Sequence, residues 1–282
     1  MPELPEAEVV AQQLRARLLG AELTDSWVGR MDIIREGAHT LSWYRSATLT
    51  TIERYGKSVA LGFSKNGDIR YVVAELGMTG LLLFRSAQTK HPQHVHVRLS
   101  FNGGQEPEVR YWNPRRFGRL SLLDGAGLDR YVTRRFGCNP LTVSQEAFTQ
   151  VVQGRRGRLK PLLMHQQIIA GIGNIYANEI LFRVGLHPNR IASKLKQQTI
   201  HQLYDTMQSV LCAAVAAGGS SVRDFFAPDG SEGQYKRQHQ VYGKHGQPCP
   251  NHCGGLIRRL QGERNSFFCP ICQRSRPARS SY

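Results

Sequence analysis

Between residues 6 and 18 the apolar positions Val9, Val10, Leu14 and Leu18 recur at helical spacing, which predicts an N-terminal helix. From about Ala21 to Leu123 the pattern changes to short β-rich runs at 49–52, 58–63, 69–73, 81–84, 94–101, 109–111 and 120–123. Gly, Asn and Asp punctuate them, as in Lys65-Asn66-Gly67-Asp68 and Asn102-Gly103-Gly104. Such a series predicts an antiparallel β-sandwich or barrel, with the helix packed on it. After about Asp129 helical spacing returns, at 144–152, 159–163, 175–184 and 193–217, with a short piece at 222–226. Ser144 suits an N-cap. Gly218-Gly219-Ser220-Ser221 closes the long helix, and 218–240 reads as a mobile polar loop without a core-forming run. No internal repeat is visible.

At 282 residues the chain is long enough for two domains with cores of their own. The charge changes the picture: 37 Lys and Arg against 21 Asp and Glu leave +16, which points to a polyanionic partner. From Gly233 onward nine Lys and Arg face the single Glu263, so that region is expected to meet the polyanion. No apolar run approaches the roughly 20 residues of a membrane span, and the start resembles no secretory signal. The expectation is therefore a protein of bacterial-type cytoplasm or nucleoid, without membrane contact.

Four of the six cysteines fall in two pairs, Cys249-Pro-Asn-His-Cys253 and Cys269-Pro-Ile-Cys272. Two thiolate pairs on two knuckles predict one closed, structural Zn²⁺ site. The first pair holds one residue more than the commoner spacing, so His252 is the alternative to Cys253. Cys138 and Cys212 read as buried apolar residues.

The chain begins Met1-Pro2-Glu3-Leu4-Pro5-Glu6. Once Met1 is removed, Pro2 is a secondary amine whose neutral fraction near neutral pH exceeds that of a lysine by of order 100-fold. Such an amine can form an iminium with a sugar C1′, with Glu3 beside it as general acid/base. Read alone, the same residues make an ordinary helix start. Ala170-Gly171-Ile172-Gly173-Asn174 is a Gly-rich turn into a helix, able to hold a phosphate through backbone N–H groups and Asn174, or simply a turn. Asn113-Pro114-Arg115-Arg116-Phe117-Gly118 follows a strand; an exposed Arg115 and Phe117 suit entry into a duplex. Leu76-Gly77-Met78-Thr79-Gly80 is a tight loop presenting Met78.

Taken in order, these motifs, with Val241-Tyr242-Gly243 and Arg264, resemble the formamidopyrimidine-DNA glycosylase family almost end to end. The start and Phe117 resemble its oxidised-purine branch more than the endonuclease-eight branch. The resemblance implies an N-terminal helix on a two-sheet antiparallel β-sandwich (1–128), a helix-two-turn-helix domain (129–240) with a lesion-capping loop at about 218–236, a β-hairpin zinc finger (241–275) and a frayed tail (276–282). It implies a monomeric bifunctional glycosylase and lyase of base excision repair, acting on damaged double-stranded DNA that lies between the two halves. Pro2 would attack C1′ of a flipped-out nucleotide, Glu3 would protonate the sugar ring oxygen, Glu6 would assist near the base, and β,δ-elimination would cut the strand. Lys57 would lie beside the sugar and phosphates. Met78, Arg115 and Phe117 would fill the gap, and Asn174, Tyr242, Arg264 and Lys160 would grip phosphates. Ser220, Ser221, Arg223 and Tyr235 belong to the capping loop.

The chain departs from the family pattern at Glu75 (usually His, a phosphate-side contact), Asn113 (usually Asp), Asn139 (usually Glu) and the first cysteine knuckle. These departures predict an active glycosylase with a shifted lesion range. The competing readings are an endonuclease-eight-like enzyme for oxidised pyrimidines, a lesion-binding protein without excision, and a nucleoid protein held by charge alone.

Overall fold

The structure is a computed structural model that describes residues 2–88, 91–222 and 225–275. By its internal contacts the chain forms two compact units, Met1–Arg135 with Ala214–Lys236, and Phe136–Ala213 with Arg237–Tyr282.

In the first unit the helix α1 (Leu4–Leu18) precedes nine strands: β1 (Glu22–Val28), β2 (Ile34–Glu36), β3 (Ala47–Tyr55), β4 (Ser58–Lys65), β5 (Asp68–Glu75), β6 (Leu81–Phe84), β7 (Val95–Asn102), β8 (Glu108–Trp112) and β9 (Arg119–Asp124). They form one ladder in the order β2-β9-β5-β4-β3-β1-β7-β8-β6. All its pairs are antiparallel except the short β2–β9 pair. The ladder turns at β1, which pairs with β3 only at Glu22 and Leu23, then crosses a bulge and follows β7 to Val28. Two facing leaves result. Leu61, Val72, Ala74 and Leu120 of one line the same small apolar void as Leu82, Val97, Leu99, Val109 and Tyr111 of the other. Ala7, Val10, Ala11, Leu14 and Leu18 set the buried face of α1 into this core.

The expected two-leaf sandwich with its helix is present. Two strands were not expected. Along β1 only Leu23 is buried, so no alternation marks it, and β2 has three residues. The helix α2 (Gly125–Arg135) spans the expected boundary at 128/129. Its Gly-Ala-Gly start is a poor helix signal; the Asp124 carboxylate caps it by accepting 2.6 Å from the Gly127 N–H.

The second unit holds α3 (Gln145–Gln153), α4 (Leu159–Met164), α5 (Asn174–Val184) and most of α6 (Gln197–Ala216), then the hairpin β10 (Arg258–Leu260) and β11 (Ser266–Phe268). Ser144 does cap α3, its Oγ accepting from the Ala147 N–H. Two expectations are corrected. The described residues of 222–226 are not helical. Cys138 is half-buried and Cys212 exposed, because α6 turns Leu203, Met207, Val210 and Leu211 inward and position 212 outward.

Candidate active site and nucleic-acid interface

Glu3 is the N-cap of α1, with Pro5 in the first turn where its missing N–H costs nothing. Glu3 and Glu6 form a reciprocal capping box in which the Glu3 N–H donates 2.7 Å to Glu6 Oε2. The other oxygen, Glu6 Oε1, accepts 2.7 Å from the Ser220 N–H, 214 positions away. Pro2, Glu3 and Glu6 are all buried. Glu6 therefore ties the first residues of the chain to the segment after α6. A Cβ on Gly219, whose φ is +82°, would sit 3.0 Å from Glu6 Cγ, so glycine permits this approach.

Lys57 lies in the two-residue turn between β3 and β4, where Tyr55 pairs with Ser58 and Gly56 takes φ +57°. The neighbouring Arg54 guanidinium is buried. It donates 2.8 Å to Glu8 Oε2 on α1 and 3.0 Å to the Gly56 carbonyl. The Lys57 turn is thereby pinned to α1, the helix that Pro2 and Glu3 lead into, a link no local pattern revealed.

Met78, Arg115 and Phe117 come together on two loops packed back to back. A Cβ on Gly77 would meet the Gly118 nitrogen at 2.6 Å. Asn113, 0 % exposed, joins the loops. Its Nδ2 donates 3.2 Å to both the Tyr111 hydroxyl and the Gly118 carbonyl, and its Oδ1 faces Thr79 Oγ1 at 3.5 Å. The Tyr111 hydroxyl in turn donates 2.7 Å to the Glu75 carbonyl; burial pushes its phenol up, so the group stays protonated and a donor. Asparagine at this departure is thus a double donor. Phe117 is 58 % exposed, with the Arg115 guanidinium 5.1 Å from its ring centroid.

The described residues of 218–240 correct the expectation of a polar loop without a core-forming run. Its neck is a short ladder, with Gln234 N–H donating to the Ala217 carbonyl, Tyr235 N–H to that of Gly219 and Ser221 N–H to that of Gly233. Phe225 enters the sandwich core, the Phe84 N–H donates to the Pro228 carbonyl, and Asp229 exchanges two hydrogen bonds with Gln13 of α1. Ser221 Oγ donates 2.7 Å to the Phe225 carbonyl and accepts 2.8 Å from the Gly233 N–H. The resemblance implies base contacts for Ser220, Ser221 and Arg223; Ser220 and Ser221, with Tyr235 of the same loop, are buried in this neck, the Ser220 N–H on the Glu6 carboxylate and the Tyr235 N–H on the Gly219 carbonyl. Arg223 lies outside the described residues.

In the second unit the turn before α5 is shaped by Gln166, whose Oε1 accepts from the Gly171 N–H while its Nε2 donates to the Met164 and Ile172 carbonyls. Asn174 opens α5, half-buried. Asn178, one turn on and 1 % exposed, donates to the Asn174 carbonyl and accepts 2.8 Å from the Phe267 N–H. It joins the helix start to the hairpin that exposes Arg264. Lys160 corrects another expectation. It is 3 % exposed, and its ammonium donates to the Arg264 and Asn265 carbonyls and to Ser266 Oγ at 2.8–3.2 Å. It anchors the Arg264 turn through these bonds, buried where an exposed phosphate contact is expected. Glu179, wholly buried on α5, accepts from the N–H groups of Gln240, Val241 and Tyr242 and from Arg183. Tyr242 then packs edge-on against Phe267, centroids 5.4 Å apart. Asn178 and Glu179 escaped the sequence reading; their only signal is polarity on the buried face of an apolar helix.

The sulfurs of Cys249, Cys253, Cys269 and Cys272 lie within 4.8 Å of one another, the pairs 249/272 and 253/269 at 3.7 and 3.4 Å. A tetrahedral ion with metal–sulfur bonds near 2.3 Å needs sulfurs about 3.8 Å apart, so the set fits. Backbone hydrogen bonding at Gly255 draws the Cys253 thiol down to about 7, toward the thiolate a metal needs. The extra knuckle residue is absorbed by His252, at φ +51°, and His252 is exposed, so Cys253 completes the set. Gln273, 0 % exposed, accepts from the Cys269 N–H and donates to the Leu186 carbonyl, fixing the second knuckle.

Comparison with known proteins agrees with this geometry. Residues 1–120 match the formamidopyrimidine-DNA glycosylase N-terminal domain, and residues 136–226 match the H2TH domain of the same enzymes. The formamidopyrimidine-DNA glycosylase of Laribacter hongkongensis is 36 % identical, over 97 % of this chain and all of its own. The MutM (Fpg) protein of Thermus thermophilus superposes with a TM-score of 0.83 at 34 % identity, covering 98 % of this chain and all of that one. The Lactococcus lactis Fpg in complex with DNA containing an abasic site gives 0.84 at 28 %, covering 96 % and 99 %. The chain belongs to the formamidopyrimidine-DNA glycosylase family.

Proposed function

We propose that this chain excises oxidised purines, such as 8-oxoguanine and formamidopyrimidines, from duplex DNA and cuts the strand at the resulting abasic site, with Pro2 as nucleophile. One observation carries the reading: Pro2 is buried just ahead of α1, next to a Glu3 backbone held by Glu6, and the Lys57 turn is pinned to the same helix through Arg54 and Glu8.

The amine, freed by removal of Met1, adds to C1′ while the C1′–N bond breaks, and the base leaves with the bonding pair and takes up the proton that the amine loses. Glu3 gives its proton to the ring oxygen as the ring opens to the iminium. Loss of a C2′ proton then expels the 3′ phosphate, and a second elimination expels the 5′ phosphate. Lys57 stands beside those phosphates as a cation. Glu6 acts by holding the backbone of Glu3 and Ser220, so its expected assistance at the base is replaced by a positioning role.

Met78, Arg115 and Phe117 fill the gap left by the flipped nucleotide, the ring as wedge and the guanidinium as a substitute pairing partner. Asn174, Tyr242 and the exposed Arg264 hold the backbone. The four cysteines hold one Zn²⁺ that keeps the Arg264 hairpin folded; a closed thiolate set leaves no open position for chemistry. The protein acts as a monomer where the chromosome lies, and among the described residues no helix is long and apolar enough to cross a membrane.

Borohydride trapping tests the reading. Duplexes carrying 8-oxoguanine, formamidopyrimidine, thymine glycol or an abasic site are each incubated with the parent and with an N-terminally blocked form. A covalent adduct fastest on the two purine lesions, and lost on blocking, is expected. Fastest trapping on thymine glycol would transfer the chain to oxidised pyrimidines; no adduct on any duplex would remove Pro2 catalysis.

A further inference from the structure

Glu75 ends β5, one residue before the loop that presents Met78, and the fold surrounds it with cations. Its cross-strand neighbours are Ser58 on β4 and Arg119 on β9. Its carboxylate accepts 2.8 Å from NH1 of Arg135, the last residue of α2. Tyr131, one turn earlier on α2, lies with its hydroxyl 3.0 Å from Ser58 Oγ, next to Lys57 in sequence and opposite Glu75 in register. The Arg135 guanidinium stacks over the Tyr131 ring, 4.6 Å from its centroid. The Glu75 side chain is 18 % exposed and that of Arg135 36 %. The carboxylate therefore lies beneath and the cation faces outward, on the same sheet end as Lys57.

A bare carboxylate beside Lys57 would repel a phosphate. Here it is neutralised, and it does a second thing. A guanidinium held by a ring on one face and a carboxylate at one nitrogen loses little further freedom when its other N–H groups meet an anion. We propose that Arg135 binds a backbone phosphate of the damaged strand, with Glu75 and Tyr131 as its positioning residues. The inference rests on Pro2 and Lys57 marking where the damaged nucleotide is processed.

The test is the salt dependence of binding to a duplex carrying a tetrahydrofuran abasic analogue, between about 50 and 200 mM salt, where each phosphate contact adds about 0.9 to the slope of log affinity on log salt. Arg135→Ala is expected to weaken binding about 10-fold at the low-salt end and to reduce the slope by about 1. Arg135→Lys keeps the slope and loses part of the affinity, since charge survives without the planar fork. Adding Glu75→Gln to Arg135→Ala removes the bared carboxylate and recovers part of the affinity but not the slope. A merely structural Arg135 lowers the melting temperature and leaves the slope at the parent value, and that outcome overturns the proposal whatever the affinity does. If the parent itself does not prefer the abasic duplex over undamaged duplex, the assignment of the centre fails and Arg135 with it.

Discussion

Glu6 in the first unit and Glu179 with Lys160 in the second use the same device and differ in what it holds. In each, a buried charged side chain is surrounded by backbone groups of a segment distant in sequence. Glu6 accepts from the N–H groups of Glu3 and Ser220. Glu179 accepts from three consecutive N–H groups, and Lys160 donates to two consecutive carbonyls. What the first clamp holds includes the neighbour of the proposed nucleophile. The second pair holds surfaces, the Tyr242 turn and the Arg264 turn. Loss of the first should therefore be felt in chemistry at bound DNA, and loss of the second in binding.

The largest effect is expected at Glu179. Glu179→Ala leaves three N–H groups, one buried and two part-buried, without their acceptor and takes from Arg183 its carboxylate, a class of change that costs about 3–5 kcal/mol. Against a total stability of about 5–15 kcal/mol, the second unit should lose much of its order at working temperature. Thermal melting and DNA affinity should both fall steeply. Single-turnover cleavage at saturating abasic DNA should stay within several-fold of the parent. A cleavage rate that falls in proportion to stability would erase the distinction between the two clamps.

Glu6→Gln is expected to cost less stability, about 2 kcal/mol, because one amide oxygen remains for two N–H donors and the amide nitrogen faces the other. Its effect on rate should be larger. With Glu3 displaced from the ring oxygen, a contribution of about 10²–10⁴-fold from acid–base catalysis is at stake. Single-turnover base release should drop by about 10²-fold or more, with little change in the Kd for abasic-analogue duplex. A Kd that moves as much as the rate would make Glu6 a second Glu179.

The same contrast explains what could be read in the sequence. Strands buried along their length, such as β4 and β6, announce themselves as apolar runs. β1 does not, because it turns the corner between leaves and buries only Leu23. The residues proposed to react and the cysteine cluster are legible because the chemistry demands particular groups in a short stretch: a proline amine beside carboxylates, and four thiols in two pairs. The clamps were not, since their partners lie 214 positions apart for Glu6 and 104–106 for Lys160. A buried lysine among basic residues is indistinguishable on paper from a phosphate-binding one, and so Lys160 was misplaced. Phe225 was hidden in a run rich in Gly, Asp and Ser, although it anchors its segment in the core.

Asn113 sharpens the comparison at a third point, where a neutral side chain joins two loops. Asn113→Asp restores the residue usual in the family, yet here it replaces a double donor with an acceptor facing the Gly118 carbonyl and the Tyr111 oxygen. A buried group left unpaired costs about 1–3 kcal/mol. The variant should melt lower than the parent and hold Met78 and Phe117 less firmly, lowering selectivity for a gapped or abasic duplex over an intact one. A stability equal to the parent's would mean that the loops are held by packing alone.

The smallest expected effect separates two readings of Ser221. As a base contact, its hydroxyl would matter only with a lesion bound. As the clasp of the 218–236 neck, it matters in the free protein, where it bridges the Phe225 carbonyl and the Gly233 N–H. Ser221→Ala removes both bonds and should raise local opening by about 1 kcal/mol, roughly fivefold in the exchange rate of the Gly233 amide, without shifting the global melting temperature by more than a few degrees. Hydrogen exchange on the free protein reads this directly. Faster exchange at Gly233, with equal slowing of 8-oxoguanine release and abasic-site cleavage, supports the clasp. Parent-like exchange with slowed release of the base alone returns Ser221 to the lesion, because an abasic site offers no base to touch.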